Sequence, residues 1–316
     1  MKRAIVTGGA GFIGSYVCEY LLGKGYFVYC VDDLYCGSKA NIRHLENNPN
    51  FVLIVLNVTA MFELEVQEIY NLAAPASPLH YQVNPMYTIM TTVQGANQMA
   101  MLAQKLKCKL FQASTSEVYG DPLIHPQPET YFGNVNPIGP RACYDESKRL
   151  AESILFIYYR QQTFPLKVGR IFNTYGPRMR SDDGRVLSNF ITQALNGEDI
   201  TVYGDGLQTR SFCYITDLIE GIMKFMDTPE EITGPINLGS QFEYPILEIA
   251  SEVIDLTGSS SKIIHKPLPK DDPVKRRPDS TLAKKLLNWE PKVTLREGLS
   301  KMIDYYKKLN QEGLLK

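Results

Sequence analysis

In the first half of the chain, apolar positions fall into short blocks of strand length: Arg3–Thr7, Tyr26–Asp32, Phe51–Leu56, Glu68–Leu72, Lys109–Ala113 and Leu166–Ile171. Longer helical patterns lie between them at Gly11–Leu22, Pro85–Leu106 and Ala142–Arg160. Such alternation predicts an α/β chain with a doubly wound parallel sheet and helices on both faces. The crossing Asn57–Gln67 is too short and too weakly periodic for a full helix, so the covering layer is expected to thin there. Ala142–Arg160 ends in ILFIYY and is apolar nearly all round, which predicts burial against its own sheet and against a partner.

Beyond residue 171 the pattern loosens. Short strands (Ile200–Tyr203, Arg210–Tyr214, Ile236–Leu238, Lys262–His265) alternate with helices at Val186–Asn196, Asp217–Asp227, Ile246–Thr257 and Leu295–Leu309. The expectation is a Rossmann-like, dinucleotide-binding domain over 1–171, with later segments returning to it. A smaller mixed α/β substrate lobe is expected over 172–316.

Composition narrows the function classes. The 316 residues are 44% hydrophobic and 21% charged, with a formal net charge of −1. That is a globular composition without the basic excess that draws a chain to nucleic acid or anionic membranes. No apolar run approaches the ~20 residues of a membrane span. The start MKRAIVTGGAGFIG is basic and then apolar, as a leader would be, but has no cleavage site. Six cysteines without a CxxC pair suit reduced thiols in the cytoplasm, and four scattered histidines give no metal-ligand spacing.

Chemistry first appears in VTGGAGFIGS, which puts Gly8, Gly11 and Gly14 directly after a strand and at the start of a helix. Gly8 permits a tight turn, Gly11 lets backbone approach a pyrophosphate, and Gly14 lets helix pack on strand. The next strand ends in Asp32 and Asp33, where a carboxylate accepts from a ribose diol and repels a 2′-phosphate. NAD is therefore favoured over NADP.

YDESK sets Tyr144 and Lys148 four residues apart on one helical face. A lysine there favours the phenolate and turns the tyrosine into a base. Taken alone the pair also reads as ordinary amphipathic decoration. STSEVY, at the end of the fifth apolar block, sets Glu117 beside hydroxyls, as a turn carboxylate or as a reagent.

TGGAGFIG, the STSEVYGD strand end and YxxxK resemble the extended short-chain dehydrogenase/reductase superfamily. The blocks LAAPASP, EVYGDP, HPQPE, NVNPIGPRACYDESKR, RIFNTYGPRM, DGRVLSNF and DDPVKRRPD resemble the UDP-glucuronic acid decarboxylases, or UDP-xylose synthases, over essentially the whole chain. That resemblance implies NAD as a retained cofactor and a UDP-sugar substrate. It implies that Thr115 and Tyr144 act on the sugar's 4-hydroxyl, that Lys148 holds the cofactor ribose, and that Glu117 and Arg276 serve the decarboxylating end. Arg277 is the competing assignment for the arginine.

Cofactor contacts are implied for Phe12, Ile13, Val58, Leu72, Ala73 and Ala74, and substrate contacts for Ser116, Asn173, Arg185, Tyr203 and Arg210. Asn57 stands where the family usually has an aspartate near the adenine, and its amide is expected to make such contacts. Asp33 stands where an asparagine is usual, and Met90 and Thr92 are further departures on the cofactor side. A homodimer through Pro85–Leu106 and Ala142–Arg160 is implied as well. Competing readings are a nucleotide-sugar 4,6-dehydratase, which would carry an acid at position 116, a 4-epimerase, which leaves Glu117 idle, and a non-catalytic NAD-binding protein.

Overall fold

A computed structural model describes residues 1–161, 163–268 and 275–315. The DDPV part of DDPVKRRPD lies outside them. The chain begins β1 (Arg3–Thr7), α1 (Phe12–Gly23), β2 (Phe27–Asp32), β3 (Phe51–Val55), β4 (Glu68–Asn71), α2 (Pro78–Tyr81), α3 (Pro85–Leu106) and β5 (Lys109–Thr115). It continues with α4 (Ala142–Arg160), β6 (Leu166–Ile171), β7 (Thr174–Tyr175), α5 (Val186–Asn196), β8 (Ile200–Tyr203), β9 (Thr209–Ser211), β10 (Cys213–Tyr214) and α6 (Ile215–Met226). It closes with β11 (Ile236–Leu238), β12 (Glu243–Pro245), α7 (Ile246–Thr257), β13 (Ile263–Lys266), β14 (Lys275–Arg276), α8 (Thr281–Leu287) and α9 (Leu295–Gln311).

Seven strands form one parallel sheet in the order β11-β6-β5-β4-β1-β2-β3. Strand residues alternate between two cores, which is why the strand blocks are apolar throughout. Val6, Val28 and Cys30 face Val17 and Leu21 of α1 and Ile222 of α6. Ile5, Ile69, Leu110 and Val168 face Met99 and Ala103 of α3 and Leu155 of α4. The strand order reverses between β1 and β4, so a crevice opens at the carboxyl ends of these strands, where ligands of such sheets bind.

Asn57–Gln67 crosses without a helix, and Phe62 and Leu64 pack there instead. Arg210–Tyr214 is not one strand but two. β9 pairs with β12 and β14, whereas β10 pairs with β7, so the ladder changes partners at Phe212. Beyond β6 the chain returns to the main sheet through α6 and β11. Helix α4 buries Tyr144, Ser147, Lys148, Ala151 and Leu155 but leaves Leu150 and Ile157 about half exposed in the single chain. Two-sided burial of α4 is therefore not reached within one chain. Among the described residues no helix is long and apolar enough to cross a membrane, and no cluster of His, Cys, Asp and Glu could hold a metal.

Candidate active site

The glycine turn explains itself sterically. Gly8 has φ +67°, and a Cβ there would sit 3.0 Å from the Ala73 backbone. A Cβ on Gly14 would lie 2.1 Å from the Gly8 carbonyl oxygen, so helix and turn close only without side chains. Helix α1 then starts with no side-chain cap and no acid in its first turn, leaving N–H groups for an anion. Asp32 accepts from Ala10 N at 2.9 Å and Leu34 N at 2.8 Å, with carboxylate lone pairs left over. Burial raises its pKa against those two bonds.

A cavity of about 640 Å³ runs from this turn across the sheet to Arg276. The half nearest this turn is walled by Gly8, Gly11, Phe12, Ile13, Gly14, Asp32, Asp33, Val58 and Leu72–Ala74, and Asn57 is not part of the wall. The bare glycine turn, the uncapped helix start and the diol-accepting carboxylate fit a dinucleotide.

At the adenosine end the structure corrects one expectation. The Asn57 amide is not free for adenine. Its Nδ2 donates to Asp33 Oδ2 at 2.7 Å and to the Tyr87 hydroxyl at 3.2 Å, while its Oδ1 accepts from Thr59 N and Oγ1. The Tyr87 hydroxyl also donates to Asp33. The two departures from the family pattern, Asp33 and Asn57, are thus hydrogen-bonded to each other. Met90 is half exposed on α3 and Thr92 is buried behind it; the α3 residues in the cavity wall are Tyr87 and Thr91.

At the other half, β5 runs two residues past its predicted end, and Thr115 closes it by accepting from Glu117 N at 3.2 Å. A short 3-10 turn, Ser116–Tyr119, follows and carries Glu117 inward. Arg276 and Arg141 each donate to one oxygen of Glu117. Burial alone would push this carboxyl up; Arg276, then Arg141, outweigh it and bring it down to about 2. Of the rival arginines, Arg276 is buried against Glu117 and Gly120 O, whereas Arg277 pairs with Glu243 at 3.2 Å.

Tyr144 is buried, and the parallel ring of Tyr81 stacks on it with centroids 5.2 Å apart. Burial pushes its phenol up to about 12, and the neighbouring Thr115 hydroxyl is the largest influence the other way. The Lys148 ammonium donates to Ala113 O at 2.8 Å and stands 5.8 Å from the centre of the Tyr144 ring. Its own pKa is brought down to about 8 by burial, partly offset by Glu152. Behind the site, Arg170 grips Glu152 with two bonds of 3.0 and 2.8 Å, and Ser114 donates to the same carboxylate. This ties α4 to the ends of β5 and β6.

On the sugar-nucleotide side Ser116, Asn173, Arg185, Tyr203 and Arg210 all line the same cavity. Arg185, the residue before α5, is paired with Asp183. Arg210 of β9 lies in register with Arg276 of β14. Three residues without a role in the sequence reading join them: Arg141, Tyr81 and His80. Arg141 stands three residues before Tyr144, where a charged residue at a helix start reads as a solvated end. Tyr81 and His80 follow the quoted LAAPASP, but nothing local says that this loop folds over Tyr144.

The family model described as GDP-mannose 4,6 dehydratase matches residues 5–302. A UDP-glucuronic acid decarboxylase 4 of Arabidopsis thaliana is 52% identical over 301 residues, covering 95% of this chain and 68% of that protein. A UDP-glucuronic acid decarboxylase 1 of Danio rerio is 50% identical over 305 residues, covering 96% and 72%. Among solved structures, the UDP-glucuronic acid 4-epimerase of Bacillus cereus, in complex with UDP-glucuronic acid and NAD, superposes with a TM-score of 0.86. It is 29% identical, with 97% of this chain and 99% of that one covered. A family model matched over residues 5–302, together with half identity along nearly the whole chain, makes this chain a member of the UDP-glucuronic acid decarboxylase family.

Proposed function

We propose that the chain converts UDP-glucuronate and a proton to UDP-xylose and carbon dioxide, with NAD retained. The observation that carries this reading is Glu117: a half-buried, ionised carboxylate beside Tyr144 and Thr115, next to Ser116 rather than a second acid. Bound NAD supplies a hydride acceptor at C4 that is restored before product leaves. Gly8–Gly14 hold its pyrophosphate, Asp32 its adenosine ribose, and Lys148 the ribose next to the nicotinamide.

The chain's own residues do the rest. Tyr144 accepts the 4-hydroxyl proton while Thr115 holds the same oxygen. A ketone at C4 lies β to the acid group, so the bond to that group breaks and its electron pair is taken up as an enolate. Tyr144 and Thr115 donate to the enolate oxygen. A proton from solvent then adds at C5, through a water aimed by Glu117. Arg276 orients the departing carboxylate; simple ground-state attraction there would oppose its loss. Asn173, Arg185, Tyr203 and Arg210 hold the UDP portion, the arginines on its diphosphate.

Labour divides along the chain, with residues 1–171 and the returning α6–β11 segment serving the dinucleotide and the remaining residues the sugar nucleotide. A cytoplasmic homodimer completes the reading. Six unpaired thiols suit a reducing compartment, and exposed Met86, Met90, Leu150 and Ile157 on α3 and α4 suit a face covered by a second copy.

Mass spectrometry after incubation with UDP-glucuronate and NAD tests the reaction: UDP-xylose and labelled carbon dioxide from a C6-labelled substrate are expected. UDP-galacturonate as the product would instead make it a 4-epimerase. A 4-keto-6-deoxy sugar from UDP- or dTDP-glucose would make it a dehydratase, for which Ser116 is a poor acid.

A further inference from the structure

Glu117 is clamped from two independent elements. Arg276 reaches its Oε1 from β14, and Arg141, the residue before α4, reaches its Oε2. Arg141 has a second carboxylate behind it, since its Nε lies 4.0 Å from Asp145 Oδ2. Asp145 is buried, and its Oδ1 has no hydrogen-bond partner among the described residues. One guanidinium thus stands between two acids, one buried and one half-buried.

We propose that Arg141, backed by Asp145, is a positioning residue that holds Glu117 charged and aimed from the Tyr144 helix, separately from Arg276. This rests on the decarboxylase reading, in which Arg276 must also meet the sugar's acid group. Arg276 already donates to Gly120 O as well, so donors it turns to the sugar come off Glu117, and Arg141 supplies the hold that stays.

The charged and titratable groups around Glu117 are Arg276 from β14, Arg141, Tyr144 and Asp145 at the start of α4, Tyr81 from α2 and Arg185 before α5. Asp145 differs from the rest in its titration range. Burial, then the Glu117 charge, push its carboxyl up to about 7, with Arg141 pulling the other way. Protonated Asp145 leaves Arg141 to Glu117; ionised Asp145 competes for it. The hold on Glu117 therefore loosens as pH rises through neutrality.

The test compares NAD-loaded wild type with Arg141→Lys, Arg141→Met and Asp145→Asn. Calorimetry of NAD and UDP binding controls for lost folding. With UDP-glucuronate in heavy water, product partition is read per carbon dioxide released: UDP-xylose deuterated at C5 against escaped UDP-4-keto-pentose with reduced cofactor. Arg141→Met is expected to bind both ligands and release carbon dioxide, yet raise the escaping share at least tenfold. Arg141→Lys should fall between, and Asp145→Asn should lose the pH dependence of the partition. An unchanged partition, or loss of carbon dioxide and UDP-xylose in equal proportion, overturns the proposal.

Melting temperature against pH decides the point without turnover, so a failed decarboxylase reading stays distinguishable from a failed clamp. Asp145 is raised in the folded state, so its own contribution to wild-type stability falls as pH climbs from about 4 through 7, beside smaller falls from Asp32 and Glu129. Arg141→Met should move that fall to higher pH, and Asp145→Asn should erase it. Superimposable curve shapes for all four proteins sink the Arg141–Asp145 coupling.

Discussion

Glu117 and Arg276 are 159 residues apart in sequence and form a partly buried ion pair at the mouth of the sheet crevice. The neighbouring Arg277 turns away to Glu243. Adjacent residues on a strand point to opposite faces, so a one-residue shift would exchange their environments. Arg276→Ala is expected to cut carbon dioxide release from UDP-glucuronate by about 100-fold or more, the scale of a lost electrostatic contact. Arg277→Ala should stay within a few-fold. Equal losses in the two variants would contradict the assignment.

Tyr144→Phe removes the proposed base while keeping the ring that stacks on Tyr81. Turnover should drop by about 10²–10⁴-fold, the usual worth of a general base. NAD affinity, measured by calorimetry, should hold. Because the phenol stands at about 12 in the free protein, the wild-type rate should still be rising with pH above neutrality.

Lys148 carries a folded-state pKa of about 8 against an ordinary value of 10.5. Between these two values the unfolded chain binds more protons than the folded one, so stability rises with pH across that window. Urea unfolding at a series of pH values should show Lys148→Met losing this site's share of the slope and keeping the share of Lys167, which burial also brings down to about 8. Glu117 gives the opposite edge. Its depressed pKa contributes stability that is complete above about 4.5 and drains away as pH falls toward 2. Glu117→Gln should flatten that acid limb.

The Asp33–Asn57 contact predicts a swap. Asn57→Asp alone sets two carboxylates face to face where a 2.7 Å hydrogen bond now stands, and should weaken NAD binding. Asp33→Asn alone leaves two amides and no ion for the Tyr87 hydroxyl. Combining the two should recover most of the loss, with a coupling of about 0.5–3 kcal/mol in a double-mutant cycle on NAD affinity. Additive losses would mean the contact carries no weight.

Much of this was legible in the residues. Strand blocks alternating with helical stretches gave the parallel sheet, because a sheet covered on both faces needs strands that are apolar throughout. The glycine spacing located the turn, because sterics at Gly8 and Gly14 admit nothing else. The split at Phe212 was hidden, since it depends on which distant strand each half meets. Arg141 and Asp145 were hidden for a related reason: charged residues in a first helical turn read as solvated ends until a distant β-strand closes over them.

The length of chain between Glu117 and Arg276 bears on synthesis as well. A ribosome delivers the glycine turn, Thr115, Tyr144 and Lys148 long before position 276 leaves the exit tunnel. A nascent chain of that length has the makings of a dinucleotide groove but lacks one of the two guanidiniums that keep Glu117 ionised. The pair between Glu117 and Arg276 thus closes only once nearly the whole chain has emerged.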